Sequence, residues 1–388
     1  MAIGPGVGDG SAGQVFFFYG TLCHLPLLRA VIGRSPDAVP ARLVGHAVHW
    51  AEGQDFPMIL VQPDGVAEGL LVRGLGAEDR ARLDFYEGGF GYATRAVVVE
   101  ATGASVSAQV YWPDAARWVP GAPWRLADWA ARWGEAVVAS ASDVMALFGA
   151  KDAASVAARR GPMLVRGASR VRAAVAAPAG LRRGVVPGDV AVAARREPYA
   201  HFFAVEEYDL AFRRFDGTMS PTVTRAAFVS GDAVTVLPWD AERDRVLLVE
   251  QFRAGPYARG DANPWSLEAI AGRVDPDETP EAAARREARE EAGLVLHDLW
   301  PVANYYPSPG AKTEFIYSYV APCDLPEDAG IVSGVEGEAE DIRGHVVPFA
   351  RFMELVASGE VANAPLVLTA LWLERARARA RGRDAGGG

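Results

Sequence analysis

The sequence is poor in several features that mark whole classes of protein. Its 388 residues include only two cysteines, Cys23 and Cys323, which lie far apart and outside any C-x-x-C pattern. Neither a disulfide framework nor a zinc site is therefore predicted. The formal net charge is −10, which disfavours binding to nucleic acid, because such proteins usually present a basic face. A small phosphorylated ligand stays compatible with this charge, since it needs only a few local arginines.

Long hydrophobic runs are also missing. No apolar segment reaches membrane-spanning length, and the N-terminal stretch MAIGPGVGDGSAGQ lacks the charged start and apolar segment of a signal peptide. We therefore expect a soluble, cytoplasmic protein with no membrane partner. Lysine occurs only twice among the 39 basic residues, which together with the high alanine content indicates genome composition rather than function.

The length predicts roughly two or three domains. Residues 1–14 are rich in glycine and are predicted to form a disordered tail. Residues 15–115 carry short strand-like runs separated by turn residues, which predicts a β-rich domain. Helical spacing of apolar residues predicts a helical extension and connector over 116–195. Residues 196–380 are predicted to form a second domain with a hairpin, an acidic helix, a further strand and a final helix, and residues 381–388 are predicted to form a disordered tail.

The acidic helix lies in the stretch GRVDPDETPEAAARREAREEAGL, residues 272–294. Glu287, Glu290 and Glu291 are spaced i, i+3 and i+4, so their carboxylates share one helix face. Like charges this close repel unless something neutralises them, and a hard divalent cation with oxygen ligands would do so. The pattern therefore predicts a magnesium site of the kind used in pyrophosphate chemistry. The alternative, a solvated charged helix, would make the spacings a coincidence.

Residues at both ends of this segment fit a helix. Thr279 is a plausible N-cap, Pro280 suits the first helical position, and Gly293 can end the helix in the left-handed conformation. The stretch resembles the Nudix box, G-x5-E-x7-R-E-U-x-E-E-x-G-U, with a small residue, Ala288, at the first U. This resemblance implies an α/β/α sandwich that hydrolyses a nucleoside diphosphate linked to another moiety, with Mg²⁺ or Mn²⁺ as cofactor.

The same resemblance implies roles for single residues of the box. It makes Glu287 and Glu291 metal ligands, with the carbonyl of Ala271 as a further ligand, and it makes Glu290 a supporting ligand at the catalytic centre. The structural residues of the motif are Gly272, Glu278, Arg286 and Gly293. Among them, Glu278 and Arg286 are expected to pair and hold the loop against the helix.

Segments on both sides of the box narrow the resemblance. VEQFR, PWSLEAIAGRVD, YYPSPGAKTE and EAEDIRGHVV resemble the bacterial ADP-ribose pyrophosphatases, across roughly residues 202–373. This implies a nucleoside diphosphate sugar as substrate, with AMP and ribose 5-phosphate as products of ADP-ribose, and a homodimer through this domain. Another nucleoside diphosphate sugar, or a dinucleotide, is a second candidate substrate. A nucleotide sensor without turnover is a third possibility.

The flanking residues have implied roles of their own. Arg225 and Arg253 are expected to bind the diphosphate through charge-assisted contacts, and Phe202 is expected to stack on adenine across a strand-exchanged dimer. Each also has an ordinary alternative, a surface arginine or a core aromatic. The remaining substrate-binding candidates lie in the SPG segment and are Ser308, Gly310 and Glu314.

An acidic loop supplies the implied general base. By resemblance to E-x-E-D-I-R in the same enzymes, Glu338 is the base and Glu340 an additional metal ligand. Because a loop can move, it can place a carboxylate beside the reacting water when substrate is bound and keep it away at other times. The alternative is a flexible acidic surface loop.

The N-terminal domain carries a second, shorter pattern. The sequence YGTL at residues 19–22 follows a strand, and backbone amides at such a turn can hold a carboxylate. Together with the later LDFYEG it resembles the γ-glutamylcyclotransferase-like (AIG2-like) family, which implies a small β-barrel. The resemblance assigns Tyr19, Gly20, Thr21 and Leu22 to the binding loop and makes Glu87 the acid/base. That glutamate would move a proton while the substrate amine attacks its own γ-amide carbonyl. The alternative is a module kept for assembly or ligand binding.

Overall fold

The computed structural model describes residues 13–114, 117–175, 177–327, 332–333 and 341–384. It divides into two compact units, Met1–Ala176 and Ala177–Gly388. The predicted domain limits differ from this division in detail, because residues 116–175 group with the first unit and 177–195 with the second. Those limits stay a prediction.

The first unit is a closed β-barrel with helices at one side. The strands are β1 (Gln14–Phe18), β2 (Asp37–Ala51), β3 (Pro57–Leu75), β4 (Ala93–Ala101), β5 (Ala104–Trp112) and β6 (Pro120–Pro123). They follow the order β3-β1-β5-β4-β2-β6, and β3 also pairs with β2, so five strands close on themselves. Pairing is antiparallel except between β1 and β5, which run parallel. The predicted barrel is thereby confirmed.

Helices pack around this barrel. They are α1 (Leu25–Ile32), α2 (Ala77–Glu87), α3 (Leu126–Trp129), α4 (Glu135–Ala146), α5 (Ala153–Ala157) and α6 (Arg160–Ala173), with a π-helical turn between α3 and α4. One apolar cluster joins α1, α2, α4 and α6 to strands of the barrel, with Trp129 fully buried in it. A second cluster fills the barrel interior around Phe17 and Leu71. The helices predicted for this stretch are present.

The second unit is built on an eight-stranded mixed sheet. Its strands, with those of a smaller sheet, are β7 (Val190–Ala200), β8 (Ala204–Phe212), β9 (Val223–Val229), β10 (Ala233–Asp240), β11 (Arg245–Phe252), β12 (Trp265–Glu268), β13 (Ile270–Arg273), β14 (Trp300–Tyr305), β15 (Ile316–Pro322), β16 (Val332–Ser333) and β17 (Ile342–Pro348). The main path is β14-β15-β10-β11-β17-β16, with β12 on β11 and β13 on β10, whereas β7, β8 and β9 form a separate antiparallel sheet.

The helices of the second unit are α7 (Ala254–Arg259), α8 (Pro280–Ala292), α9 (Phe349–Ser358) and α10 (Ala364–Asp384). Helix α8 covers one face of the large sheet, and α9 and α10 cover the other. Helix α8 buries its alanines in one apolar cluster with β10, β11 and β13. Helices α9 and α10 form another cluster with β10, β11 and β15. Because the sheet lies between two helical layers, the predicted α/β/α sandwich is confirmed.

Three local features differ from the sequence predictions. Strand β7 begins at Val190, inside the predicted connector, because it pairs with β8 along most of its length. Helix α10 continues to Asp384, into the predicted tail, and β1 begins at Gln14. Among the helices of the described residues, none combines the length and apolar composition needed to cross a bilayer. The cytoplasmic location stays a prediction.

Candidate active sites

Helix α8 carries the box glutamates and is fixed at both ends. The Thr279 hydroxyl accepts a hydrogen bond from the Ala282 amide at 3.2 Å, and Pro280 occupies the first turn. Gly293 ends the helix with a φ of 64°, a left-handed conformation that glycine adopts without steric cost. The predicted capping is thereby confirmed. One face of the helix is buried against the sheet through Ala283, Ala284, Ala288 and Ala292, so the carboxylates stand on a rigid support.

Two of these carboxylates lie against strand β13. The Glu287 carboxylate occupies the space directly over Gly272, where an added Cβ would overlap it. The Glu291 side chain is buried, and its Oε2 lies 3.4 Å from the Ala271 amide nitrogen. The motif glycine is therefore needed for close approach, because a side chain there would push the Glu287 carboxylate away.

One guanidinium organises the acidic face. Arg286 donates from Nε and Nη2 to the two oxygens of Glu278, at 2.9 and 3.0 Å, which is the predicted pair. Its Nη1 donates to Glu287 at 2.7 Å and to Glu290 at 3.0 Å, and Nη2 also reaches the carbonyl of Arg273 at 3.0 Å. The sequence analysis proposed a divalent cation to neutralise Glu287, Glu290 and Glu291. Arg286 supplies part of that positive charge, because it contacts two of these three carboxylates.

Carboxylate oxygens are the type of donor that a hard divalent cation prefers. Glu287 and Glu291 bring carboxylate oxygens to the same short strand, and the narrow space over Gly272 is filled by one of those carboxylates. Within residues 13–114, 117–175, 177–327 and 341–384, no group of three His, Cys, Asp or Glu side chains is arranged to hold a metal ion. Glu338 and Glu340, the predicted base and additional ligand, lie outside the described residues.

The two arginines predicted to bind diphosphate have different surroundings. Arg253 donates from Nε and Nη2 to both oxygens of Glu268, at 3.0 and 2.8 Å, so its guanidinium is engaged by strand β12. Arg225 lies on β9, is exposed, and donates from Nη1 to the Thr224 carbonyl at 3.0 Å. Of the two, Arg225 is the less constrained by contacts to other elements.

The SPG segment is a tight turn beside β9. The Ser308 carbonyl accepts hydrogen bonds from the Ala311 and Lys312 amides at 3.1 and 2.9 Å. The Ala311 carbonyl in turn accepts from the Phe228 amide at 2.7 Å, which attaches the turn to the strand. Gly310 is exposed at the tip of this turn. Glu314, two residues beyond Lys312, lies 3.7 Å from its ammonium group.

Phe202 lies in the β7–β8 turn and is 54% exposed. The guanidinium of Arg273 lies over its ring at 4.2 Å from the centroid. Arg273 directly follows Gly272, so this contact joins the small sheet to the box of the same chain. The sequence analysis named Phe202 but missed Arg273, and its place next to the motif glycine was the available signal.

A second candidate site lies in the first unit. A cavity there is lined by the predicted loop Tyr19–Leu22 and by Glu87, together with the aromatic residues Phe17, Phe18, Phe56, Phe90, Tyr92 and Tyr111. Glu87 is 6% exposed. Burial raises the pKa of its carboxyl from the usual 4.5 to about 8, and the positive charge of Arg160 partly opposes this. A group with such a pKa can hold or accept a proton near neutral pH.

Two charged residues near Glu87 were missed by the sequence analysis. Arg160, at the start of α6, donates from Nη1 to Asp55 Oδ1 at 2.6 Å. Asp55 is nine-tenths buried and lies in the turn before β3. The two residues are 105 positions apart, and no local pattern connects them.

Comparison with known proteins gives independent findings for both units. A model described as the NUDIX domain matches residues 229–368. A second model, described as gamma-glutamyl cyclotransferase, AIG2-like, matches residues 16–131. The two matches fall in different units, and each contains one of the candidate sites.

Individual relatives match the second unit. The ADP-ribose pyrophosphatase of Escherichia coli K12 is 39% identical over 186 residues, which cover 48% of this chain and 88% of that protein. The ADP-ribose pyrophosphatase of Haemophilus influenzae is 33% identical over 188 residues, covering 48% and 86%. The GDP-mannose pyrophosphatase of Salmonella choleraesuis is 35% identical over 150 residues, covering 39% and 77%. A crystal structure of an ADP compounds hydrolase matches at 22% identity and a TM-score of 0.40, over 52% of this chain and 100% of that chain.

Proposed function

Because this chain belongs to the Nudix family and also contains an AIG2-like γ-glutamyl cyclotransferase domain, we propose that its second unit hydrolyses the diphosphate of a nucleoside diphosphate sugar. The observation that carries this proposal is the seating of the Glu287 carboxylate over Gly272, beside the buried Glu291. ADP-ribose is the proposed substrate, since the relatives with the widest alignments described above are ADP-ribose pyrophosphatases. The products would be AMP and ribose 5-phosphate.

The residues of the box have separable tasks in this reaction. Glu287, Glu291 and the carbonyl of Ala271 would hold Mg²⁺ or Mn²⁺, with Glu290 in a supporting role. When bound, the ion neutralises charge on the diphosphate and activates water. Arg286 keeps the carboxylates oriented and the Glu278 loop in place. A water oxygen forms a bond to one phosphorus while the bond from that phosphorus to the bridging oxygen breaks. Glu338 is the proposed base that takes the proton of that water.

Substrate contacts would come from the flanking elements. Phe202, with Arg273 fixed over one face of its ring, would stack on the base. Arg225 and Arg253 are proposed for the diphosphate. The turn at Ser308 and Gly310, with Glu314 after it, would border the sugar.

The test is release of AMP from ADP-ribose by the full-length protein with Mg²⁺, with Mn²⁺ and with a chelator. GDP-mannose and NADH assayed in parallel distinguish the proposed substrate from another nucleoside diphosphate sugar or a dinucleotide. Release of AMP that stops on chelation is the expected result. Binding of ADP-ribose without any turnover would contradict the proposal and favour a sensor.

A second function is favoured by Glu87. Its carboxyl is buried beside the Tyr19–Leu22 loop, and its pKa of about 8 suits proton transfer at neutral pH. We propose that the first unit cyclises a γ-glutamyl amine. The substrate α-amine forms a bond to the γ-carbonyl carbon, the γ-amide C–N bond breaks, and Glu87 carries the proton from the attacking amine to the leaving amine. Appearance of 5-oxoproline from γ-glutamyl peptides tests this, and its absence for a range of γ-glutamyl amines would reject it.

Homodimer formation is proposed through the small sheet of the second unit. Strand β7 is an edge strand, and Val190, Val192, Tyr199 and Phe202 on it or beside it are each more than half exposed. An edge strand with exposed apolar side chains is a template for pairing with another chain. Sedimentation equilibrium should give twice the mass of the chain, and Val192→Lys should shift the equilibrium towards monomer. A wild-type protein that stays monomeric at micromolar concentration would reject this interface.

A further inference from the structure

Helices that follow the matched cyclotransferase region pack against the end of α2 that carries Glu87. A Cβ added at Gly89 would overlap Ala157 Cβ on α5, and one added at Gly88 would lie 3.4 Å from Ala153 Cβ. Helix α5 therefore leaves almost no free space beside the two residues that follow Glu87. The surroundings of Glu87 extend past residue 131, where the family match ends.

The next helix brings a cation to the same place. The Arg160 guanidinium is held by Asp55, with Nη1 2.6 Å from Oδ1. Its central carbon also lies 5.7 Å from the Phe56 ring centroid and 5.2 Å from that of Phe90. Both rings line the cavity that contains Glu87. Ionic and aromatic contacts on several sides keep this positive charge from swinging into solvent.

We propose that Arg160 is a positioning residue that sets the proton affinity of Glu87, so that the active site of the first unit includes the helical segment of residues 153–173. The catalytic consequence rests on the proposed cyclotransferase function. The charge interaction itself does not, because Arg160 is held beside two rings of the cavity that contains Glu87.

Two opposing effects act on the Glu87 carboxyl. Burial of Glu87 disfavours the carboxylate and raises its pKa, whereas the Arg160 charge favours the carboxylate and lowers it. Asp55 partly neutralises Arg160 and so weakens that second effect. Asp55 Oδ2 is itself buried and has no hydrogen-bond partner within the described residues, so no further donor on this oxygen competes with Arg160 for the Asp55 charge.

Four tyrosines also lie around Glu87, from the loop after β1, from α2, from the segment before β4 and from β5: Tyr19, Tyr86, Tyr92 and Tyr111. Burial is the largest cause that raises the pKa of each tyrosine, so these side chains stay neutral near pH 7. Charged groups that act on these tyrosines, besides the Asp55–Arg160 pair, are Arg80, Asp84 and Arg117. Arg160 is the charged group that acts directly on Glu87.

The test measures the pKa of Glu87 directly in the full-length protein. Glutamate labelled with ¹³C at the side-chain carboxyl is followed by NMR across pH, and the Glu87 signal is assigned by its loss in Glu87→Gln. Arg160→Met should raise the measured pKa by about one pH unit or more, because an opposite charge is removed. Asp55→Asn should lower it, because the guanidinium is no longer neutralised. Arg160→Lys, which keeps the charge, should stay closer to wild type than Arg160→Met.

The opposite signs separate a charge effect from a packing effect. If the pair were only structural, both Arg160→Met and Asp55→Asn would loosen the packing, admit water and lower the pKa of Glu87 towards 4.5. Shifts in the same direction, or no shift, would overturn the proposal. Should Arg160→Met fail to fold in a thermal melt, Arg160→Gln replaces it: a raised pKa of Glu87 supports the proposal, and a lowered or unchanged pKa rejects it.

Parallel turnover assays keep this inference distinct from the proposed function. If wild-type protein cyclises γ-glutamyl amines, the acidic limb of kcat/KM against pH should move to higher pH in Arg160→Met. An unmoved limb would overturn the role of Arg160 while leaving the cyclotransferase intact. Conversely, opposite NMR shifts in a protein without turnover would support the charge coupling and reject the cyclotransferase.

Discussion

The glutamates at the two candidate sites have opposite electrostatic surroundings. Glu87 is surrounded by aromatic residues, is 6% exposed, and has a pKa raised by burial to about 8. Glu287 and Glu290, in contrast, are each within 3.0 Å of a guanidinium nitrogen on the same helix. Desolvation suits a carboxyl that must exchange a proton, whereas pairing with a fixed cation suits carboxylates that must stay charged. The difference teaches that the residue type alone does not define the chemistry of a site.

The largest expected effect is the loss of ADP-ribose hydrolysis when a carboxylate of the Nudix box is removed. Glu287→Gln or Glu291→Gln should lower ADP-ribose hydrolysis about 10³-fold, because a metal-ligand charge worth several kcal/mol is lost. Isothermal titration with Mn²⁺ should show weaker metal binding in the same variants. Glu360→Gln, an exposed carboxyl of the same unit, is the matched control and should match wild type. Full activity in both box variants would end the metal-site proposal.

Substitution of Glu87 should affect only the activity of the first unit. Glu87→Gln should lower formation of 5-oxoproline about 10²-fold, as expected for removal of a general acid/base. ADP-ribose hydrolysis measured on the same preparation serves as the internal control and should be unchanged. A cyclotransferase activity that survives Glu87→Gln would show that another group moves the proton.

A smaller effect is expected from one added methyl group. Gly272→Ala places a Cβ where the Glu287 carboxylate lies, so the side chain must move away from Ala271 and Glu291. Misplaced supporting groups at metal sites typically cost about 10–100-fold in activity or affinity, and kcat/KM for ADP-ribose measures this loss. Gly255→Ala, with no atom near the added Cβ, is the control. Equal activity of the two variants would show that the tight fit is not needed.

The mildest prediction concerns stability against pH. The folded-state pKa of Glu87 is raised, so its protonated form favours folding below the unfolded value of 4.5, and this contribution is lost as pH rises through about 8. Glu87→Gln removes the dependence. Thermal melts should therefore show the variant and wild type close together at pH 4, with the variant more stable at pH 8.5. A difference in melting temperature that does not change with pH would contradict burial of an ionisable Glu87.

Local sequence patterns predicted the helix caps and the nearby ion pair, but they did not predict ion pairs between residues far apart in the sequence. The caps at Thr279 and Gly293 and the Glu278–Arg286 pair were predictable, because each depends on residues within one turn or two of each other. The Arg253–Glu268 pair was not predicted, since fifteen residues and a change of strand separate the partners. The role of Arg160 could not be predicted for the same reason, because 105 positions separate it from Asp55.

The start of strand β7 was also not predictable from local sequence patterns. Strand β7 follows a region of prolines and glycines and has mostly exposed residues, so it lacks the apolar alternation that marked the barrel strands. It is a strand because β8 offers it a hydrogen-bonding edge. Residues 190–195 were therefore predicted as a connector, because a pattern of buried and exposed residues does not reveal pairing partners.

The fork made by Arg286 has a consequence for which replacements this helix tolerates. Its planar group grips both oxygens of Glu278 while reaching Glu287, Glu290 and the Arg273 carbonyl. A lysine ammonium has three donors on a single nitrogen and cannot span that arc of acceptors. Arg286→Lys would therefore remove the contacts that hold the Glu278 loop, the helix and the carboxylates of Glu287 and Glu290 together.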